Sequence, residues 1–171
     1  MQLYHASQDG NISVFEPRLP TKVDLGNNKA VVWAVSAPRL YNYLLPRDCP
    51  RISFFKAATT SDADADKFML TDAIYAVILV EQQWLKAILE TTLYLYEFDP
   101  THFYLLDDNA GYYLSEQREY PLCMQPVTDL FAALFLAQVE IRLVQRLKDY
   151  VHPILHSSLG FSMIRMQNAK P

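Results

Sequence analysis

Arg47-Asp48-Cys49-Pro50-Arg51, led into by Val31-Val32-Trp33-Ala34 and Tyr41-Asn42-Tyr43, is the stretch on which the fold turns. Pro46 and Pro50 hold it extended, because each fixes its own φ and pushes the preceding residue out of the helical region. A stiff loop carrying two guanidinium groups results. Arginine forks match carboxylate or phosphate geometry, so the segment reads as an anion or nucleotide clamp. The alternative is an ordered turn in which Asp48 pairs with Arg47 or Arg51. Upstream, Ala30 to Val35 is a continuous apolar run rich in β-branched residues, with Trp33 central, which predicts an interior strand. Ser36 can cap a short helix over 37–45 with Pro38 in its first turn, leaving Tyr41 and Tyr43 on different sides. Ile52 to Phe55 resumes as strand.

Outward from this centre, Leu3-Tyr4-His5-Ala6-Ser7 predicts a short strand ending at the turn Gln8-Asp9-Gly10-Asn11, with His5 near the strand end. Pro17-Arg18-Leu19-Pro20 opens a loop through Gly26-Asn27-Asn28 that is long enough to serve as a lid. Ser61-Asp62-Ala63-Asp64-Ala65-Asp66 has the look of a calcium loop, but Lys67 stands at the glycine position and Ala73 at the bidentate-glutamate position. Ser61 as N-cap of a helix to about Asp72 explains the same residues through capping and the helix dipole.

Ile74 to Val80 predicts a buried strand, and Glu81 to Glu90 a helix whose Trp84, Leu85, Ile88 and Leu89 form one face, with Trp84 in the core. Thr92 to Phe98 alternates strictly, setting Glu97 with Leu93 and Leu95 and against Tyr94, Tyr96 and Phe98. A carboxylate there is paired or reaches solvent, the alternative being a catalytic acid. Phe103 to Leu106 and Tyr112 to Leu114 form strands about the corner Asp107-Asp108-Asn109-Ala110-Gly111. From Pro126 and Thr128-Asp129 a helix runs through Gln138, apolar almost all round and therefore expected as a buried central element.

Val139 to Val144 alternates as a half-exposed strand. Leu147, Tyr150, Val151, Ile154 and Leu155 then keep helical spacing, which puts His152 and His156 together on the solvent face. Two imidazoles do not complete a zinc site, and Pro153 sits between them. Gly160 to Met166 reads as a last strand that closes the sheet.

At 171 residues, 51% hydrophobic and 20% charged, the chain is expected to form one ordered domain over residues 1–171. A net charge of -4 argues against a broad phosphate-binding surface, so non-specific nucleic acid is not an expected partner. Cys49 and Cys123 fit no metal or redox spacing and are expected as buried or half-buried free thiols. The opening Met1-Gln2-Leu3-Tyr4-His5 has no basic or apolar leader, and the apolar runs are shorter than the roughly 20 residues of a membrane helix. A cytoplasmic protein with no membrane partner is expected.

Leu3-Tyr4-His5 with Ile12 to Arg18, the Val32-Trp33-Ala34 strand with Pro46 to Arg51, the Asp108 to Tyr113 corner and Leu159 to Met166 together resemble an uncharacterised bacterial family of unknown function. More distantly, the opening resembles the ADP-ribosyltransferase-like fold, in which a strand ending in a Tyr-His dipeptide is followed by an aromatic-Ala strand and a tyrosine-bearing helix. That resemblance implies NAD as cofactor, His5 on a ribose hydroxyl, Trp33 as the first aromatic, and Tyr43 or Tyr41 stacking on nicotinamide. Arg47 and Arg51 would hold the phosphates. Glu116 would stabilise the positive charge developing on the ribose, with Glu119 a second candidate acid.

The expectation is an α+β fold, a mixed and mostly antiparallel sheet with helices on its faces, ADP-ribosyltransferase-like. Its catalytic residues would be His5, Tyr43 and Glu116, and its nucleotide-binding residues Trp33, Tyr41, Arg47 and Arg51, with no metal. The alternative is a non-catalytic binding or assembly module, a homodimer included, since the 11 tyrosines suit interfaces.

Overall fold

A computed structural model describes residues 1–19, 29–69, 71 and 73–171, and among them holds ten strands and four α-helices, of which the strand Cys123–Val127 was not expected. The loop expected through Gly26 to Asn28 lies outside the described residues, as does Asp72. The chain divides into two compact units, Met1–Leu40 with Leu93–Val127, and Tyr41–Thr92 with Thr128–Pro171. Where one sheet was expected there are two, one in each unit.

The first unit holds β1 (Leu3–Ser7), β2 (Val32–Ser36), β5 (Leu93–Phe98), β6 (Tyr104–Asp107), β7 (Tyr112–Ser115) and β8 (Cys123–Val127). They form an antiparallel sheet in the order β6-β7-β2-β1-β5-β8. The strict alternation of β5 sends Tyr96 and Phe98 into a core with Leu3, Phe15, Val32, Ala34 and Phe103. Tyr96 is the anchor: its hydroxyl donates to the Asp9 carbonyl at 2.8 Å and accepts the Ile12 N–H, so the predicted turn is tied to the core. The β6–β7 corner closes on Gly111 at φ 67°, where an added Cβ would stand 2.5 Å from Ser36 Oγ. Only glycine fits there.

The second unit holds β3 (Arg51–Phe55), β4 (Ala76–Glu81), β9 (Val139–Val144) and β10 (Gly160–Ile164), in the order β10-β3-β4-β9. β4 and β9 are parallel, and the other pairs antiparallel. Fully buried Val77 and Leu79 of β4 meet Ile52, Phe54, Leu147 and Ile154 in its core. The helices α1 (Asp62–Phe68), α2 (Leu85–Glu90), α3 (Leu130–Leu136) and α4 (Lys148–Leu155) belong to this unit. Ser61 caps α1 by accepting the Asp64 N–H, as its position predicts.

Several expectations change. Pro126 belongs to β8, and α3 starts after Asp129, whose side chain caps it through the Ala132 N–H. Only Leu130 and Leu134 of α3 are buried, whereas Phe135 and Leu136 are 79% and 81% exposed. An apolar helix is thus a surface feature instead of a core one. Trp84 is half-buried, and Leu89 is exposed. Cys123 is exposed because β8 is an edge strand, while Cys49 is buried.

Candidate functional site

The side chains singled out from sequence fall into separate settings. In the first unit, His5 lies on the core side of the sheet, tilted against Phe15 at 4.9 Å between ring centroids, and its Nδ1–H donates to the Trp33 carbonyl at 3.0 Å. The registers Leu3↔Ser36 and Tyr4↔Val35 fix the rest. Because side chains alternate across a strand, Trp33 shares a face with Val35 and Tyr4, and His5 shares the other with Leu3. Trp33 packs edge-on against Tyr112 at 5.4 Å, on the face away from His5. The backbone joins His5 to Trp33, but the imidazole and the indole do not share a surface.

Glu116 is an exposed carboxylate paired with Lys29 Nζ at 2.7 Å, and the same contact raises the Lys29 pKa. Glu119 is the buried acid of the two: it accepts from Ser115 Oγ at 2.5 Å and stands 3.5 Å from His102 Nδ1. Its backbone also bridges to Phe15 in both directions. With its carboxylate taken up by neighbours and its backbone paired, Glu119 serves to fold the 116–120 segment onto the sheet.

In the second unit, Arg51 is 3% exposed, and its guanidinium donates to the carbonyls of Cys49 at 2.8 Å, Asn42 at 3.0 Å and Pro46 at 3.5 Å. Three of the bonds of this guanidinium thus go, through Nε and Nη1, to carbonyls on the inside of a turn. The segment is the ordered turn, although its partners are backbone oxygens where Asp48 was expected. Asp48 and the Arg47 carbonyl instead face Arg165 Nε, at 4.0 and 3.4 Å. Tyr41 is buried against Tyr75, and the half-buried Tyr43 ring lies 5.9 Å from the Arg51 guanidinium carbon. Arg47 is exposed. The Asn42 side chain, itself 2% exposed, completes the turn by accepting from Ser53 Oγ at 2.5 Å.

The surface that sequence reasoning missed is on α3 and β9. Phe131 and Phe135 of α3, with Val139, Glu140, Ile141 and Leu143 of β9, line an open concavity. Among the described residues β9 pairs with β4 alone, so its outer edge is a row of backbone groups. The register Val77↔Glu140 and Leu79↔Arg142 puts Glu140 and Arg142 on the opposite face, where Arg142 Nε meets Glu140 Oε1 at 2.7 Å. The signal in the sequence was the adjacency itself: an all-round apolar helix running straight into a strand with mixed charges.

Among the described residues no cluster of three or more metal-ligating side chains occurs, and His152 and His156 stack on each other at 3.9 Å on the exposed side of α4. No helix of the described residues is long and apolar enough to cross a membrane.

The fold is that of an α+β protein with mostly antiparallel sheets. The chain belongs to DUF6886, a family of unknown function whose model matches residues 4–169. No curated protein and no solved structure matches it.

Proposed function

We propose that the chain is a non-catalytic binding and assembly module that takes an extended polypeptide strand onto the outer edge of β9, with α3 seating the strand's apolar side chains. The observation that carries this is the exposure of Phe135 and Leu136, 79% and 81%, directly before a sheet edge. Large apolar side chains left in water beside an open strand edge favour strand addition, because main-chain hydrogen bonds supply affinity and alternate pockets supply specificity.

Two of the other sheet edges are protected by devices that β9 lacks. β6 carries a register break between Leu105 and Asp107, and β8 contains Pro126, which has no N–H to donate. β10 opens on Gly160 and has no charged residue to set a register. The partner suited to β9 is a strand alternating apolar residues with charges of both signs. Nucleotide transfer has less behind it: His5 and Trp33 point to opposite faces, and the Arg51 guanidinium donates to its own turn.

The test is a pair of titrations on dilute protein. A labelled synthetic peptide of alternating apolar and charged residues should raise fluorescence anisotropy, and Phe135→Ser should weaken it at least several-fold. NAD and ADP-ribose should give no heat by calorimetry. Micromolar heat from NAD, with no response to the peptide, would overturn the proposal in favour of an ADP-ribosyltransferase-like site.

A further inference from the structure

We infer that the strand added at β9 is β9 of a second copy of this chain, antiparallel and centred on Ile141. This rests on the reading of β9 as a strand-accepting edge. The segment Val139-Glu140-Ile141-Arg142-Leu143 is self-complementary about its middle residue. With Ile141 opposite Ile141 of the second copy, Val139 of each chain faces Leu143 of the other. Glu140 of each faces Arg142 of the other. A single register thus joins apolar to apolar on one face and anion to cation on the other.

The structure has both faces ready for this. Val139, Ile141 and Leu143 line the concavity with Phe131 and Phe135, and Leu143 is 38% exposed. Glu140 and Arg142, side chains 27% and 29% exposed, already pair at 2.7 Å, so dimerisation would extend an existing ion pair into a ring of four charges. The Arg142 guanidinium carbon lies 5.9 Å from the centre of the Phe54 ring, which limits its freedom before association. A two-fold axis normal to the sheet keeps α3 of both copies, with the exposed Phe135 of each, on one side of the joined sheet. The result is one sheet of eight strands. Sliding one strand by one residue would set Ile141 against Glu140 or Arg142, and sliding it by two would set Glu140 or Arg142 against its own counterpart, where like charges directly opposed destabilise.

Charge reversal tests the register. Glu140→Arg leaves a strand with two cations, and Arg142→Glu one with two anions. By light scattering each variant alone should run at the monomer mass of 19.7 kDa, and their equimolar mixture at twice that. The ion pair within each chain is lost in both variants, so a merely structural role would not be rescued by mixing. A wild type that stays monomeric at every concentration, a variant that still dimerises alone, or a mixture that stays monomeric would each overturn the inference. The peptide titration decides the edge reading separately.

Should a charge variant fail to fold, Ile141→Cys in a Cys123→Ser background replaces it. Mild oxidation should then cross-link Ile141→Cys to its copy, whereas Leu143→Cys alone should stay uncross-linked. Equal cross-linking at both positions, or none at Ile141→Cys, would sink the proposed register.

Discussion

Glu81, wholly buried at the end of β4, accepts the backbone N–H of Lys170 at 3.0 Å from 89 residues away in sequence. The same carboxylate accepts the Leu147 N–H at 3.1 Å and Gln83 Nε2 at 2.8 Å. One side chain therefore fastens the start of α4 and the chain's last residues to the central strand. Glu81→Ala strands the buried Leu147 N–H and the part-buried Lys170 N–H, and should lower unfolding free energy by about 3 kcal/mol. Glu81→Gln keeps one acceptor oxygen and should lose less. A urea melt in which Glu81→Ala costs under about 1 kcal/mol would show the clamp to be dispensable.

Arg51 is predicted to be a stability residue. Arg51→Ala takes a donor from the carbonyls of Asn42, Cys49 and Pro46, the last of which keeps the Cys49 N–H, a loss of about 3 kcal/mol. For a chain of this size that is a fall in Tm of roughly 6–12 °C. Arg51→Lys should recover only part, because a point charge cannot serve three divergent acceptors. An unchanged Tm by circular dichroism would return Arg51 to the role of ligand clamp.

The thiols should separate cleanly. Burial pushes the Cys49 pKa up to about 12, with the Arg51 charge opposing and the Glu81 charge adding to the rise. Cys123 is raised by desolvation of its sulfur first, then by the hydrogen bond its thiol donates to Glu97 Oε2 at 3.6 Å and by that residue's charge. With a disulfide reagent at about pH 8, native protein should lose one thiol slowly, and the second only on unfolding. Glu97→Gln should speed the first reaction. Two thiols titrating together in native protein would contradict the burial of Cys49.

Asp64 gives an acid-dependent contribution. The Ser158 hydroxyl, donating at 2.6 Å, holds its pKa below the ordinary 3.8, helped by the Ser158 N–H. A depressed carboxylate pKa means stability that is present above the unfolded value and lost as pH falls through the folded one. The stability gap between wild type and Ser158→Ala should be constant near neutrality and close as pH drops below about 3.8. A gap unchanged in acid would assign the effect to packing instead.

Local signals were legible in the sequence, and pairings across distance were not. The Ser61 cap needed only the four residues around it, whereas the helix it opens ends at Phe68 and not near Asp72 as expected. The β5 alternation and the Gly111 corner were equally local. His5 and Trp33 looked like neighbours because their motif follows in order, yet which faces they occupy depends on the β1–β2 register, which no local pattern states. Arg51 carried the opposite lesson. A charged residue in a Pro-bounded loop suggests a surface clamp, but the same prolines curl three carbonyls around its guanidinium.

The Leu130–Leu136 helix was misplaced for a different reason. An apolar face is the same in composition whether it packs inside the fold or against something outside it, so periodicity could not distinguish core from interface. Glu81 was passed over as the start of a helix. An acid closing the run Ala76 to Val80 was the available signal, since a carboxylate beside fully buried residues must be met by donors.

The most direct measurement is amide hydrogen exchange along β9 and β10 of the wild-type chain as protein concentration is raised. The outward amides of Val139–Val144 should gain protection with concentration while those of Gly160–Ile164 stay unchanged, since only the β9 edge is taken to accept a strand. Exchange in β9 that stays fast and independent of concentration, or protection that grows on β10 instead, would contradict the account.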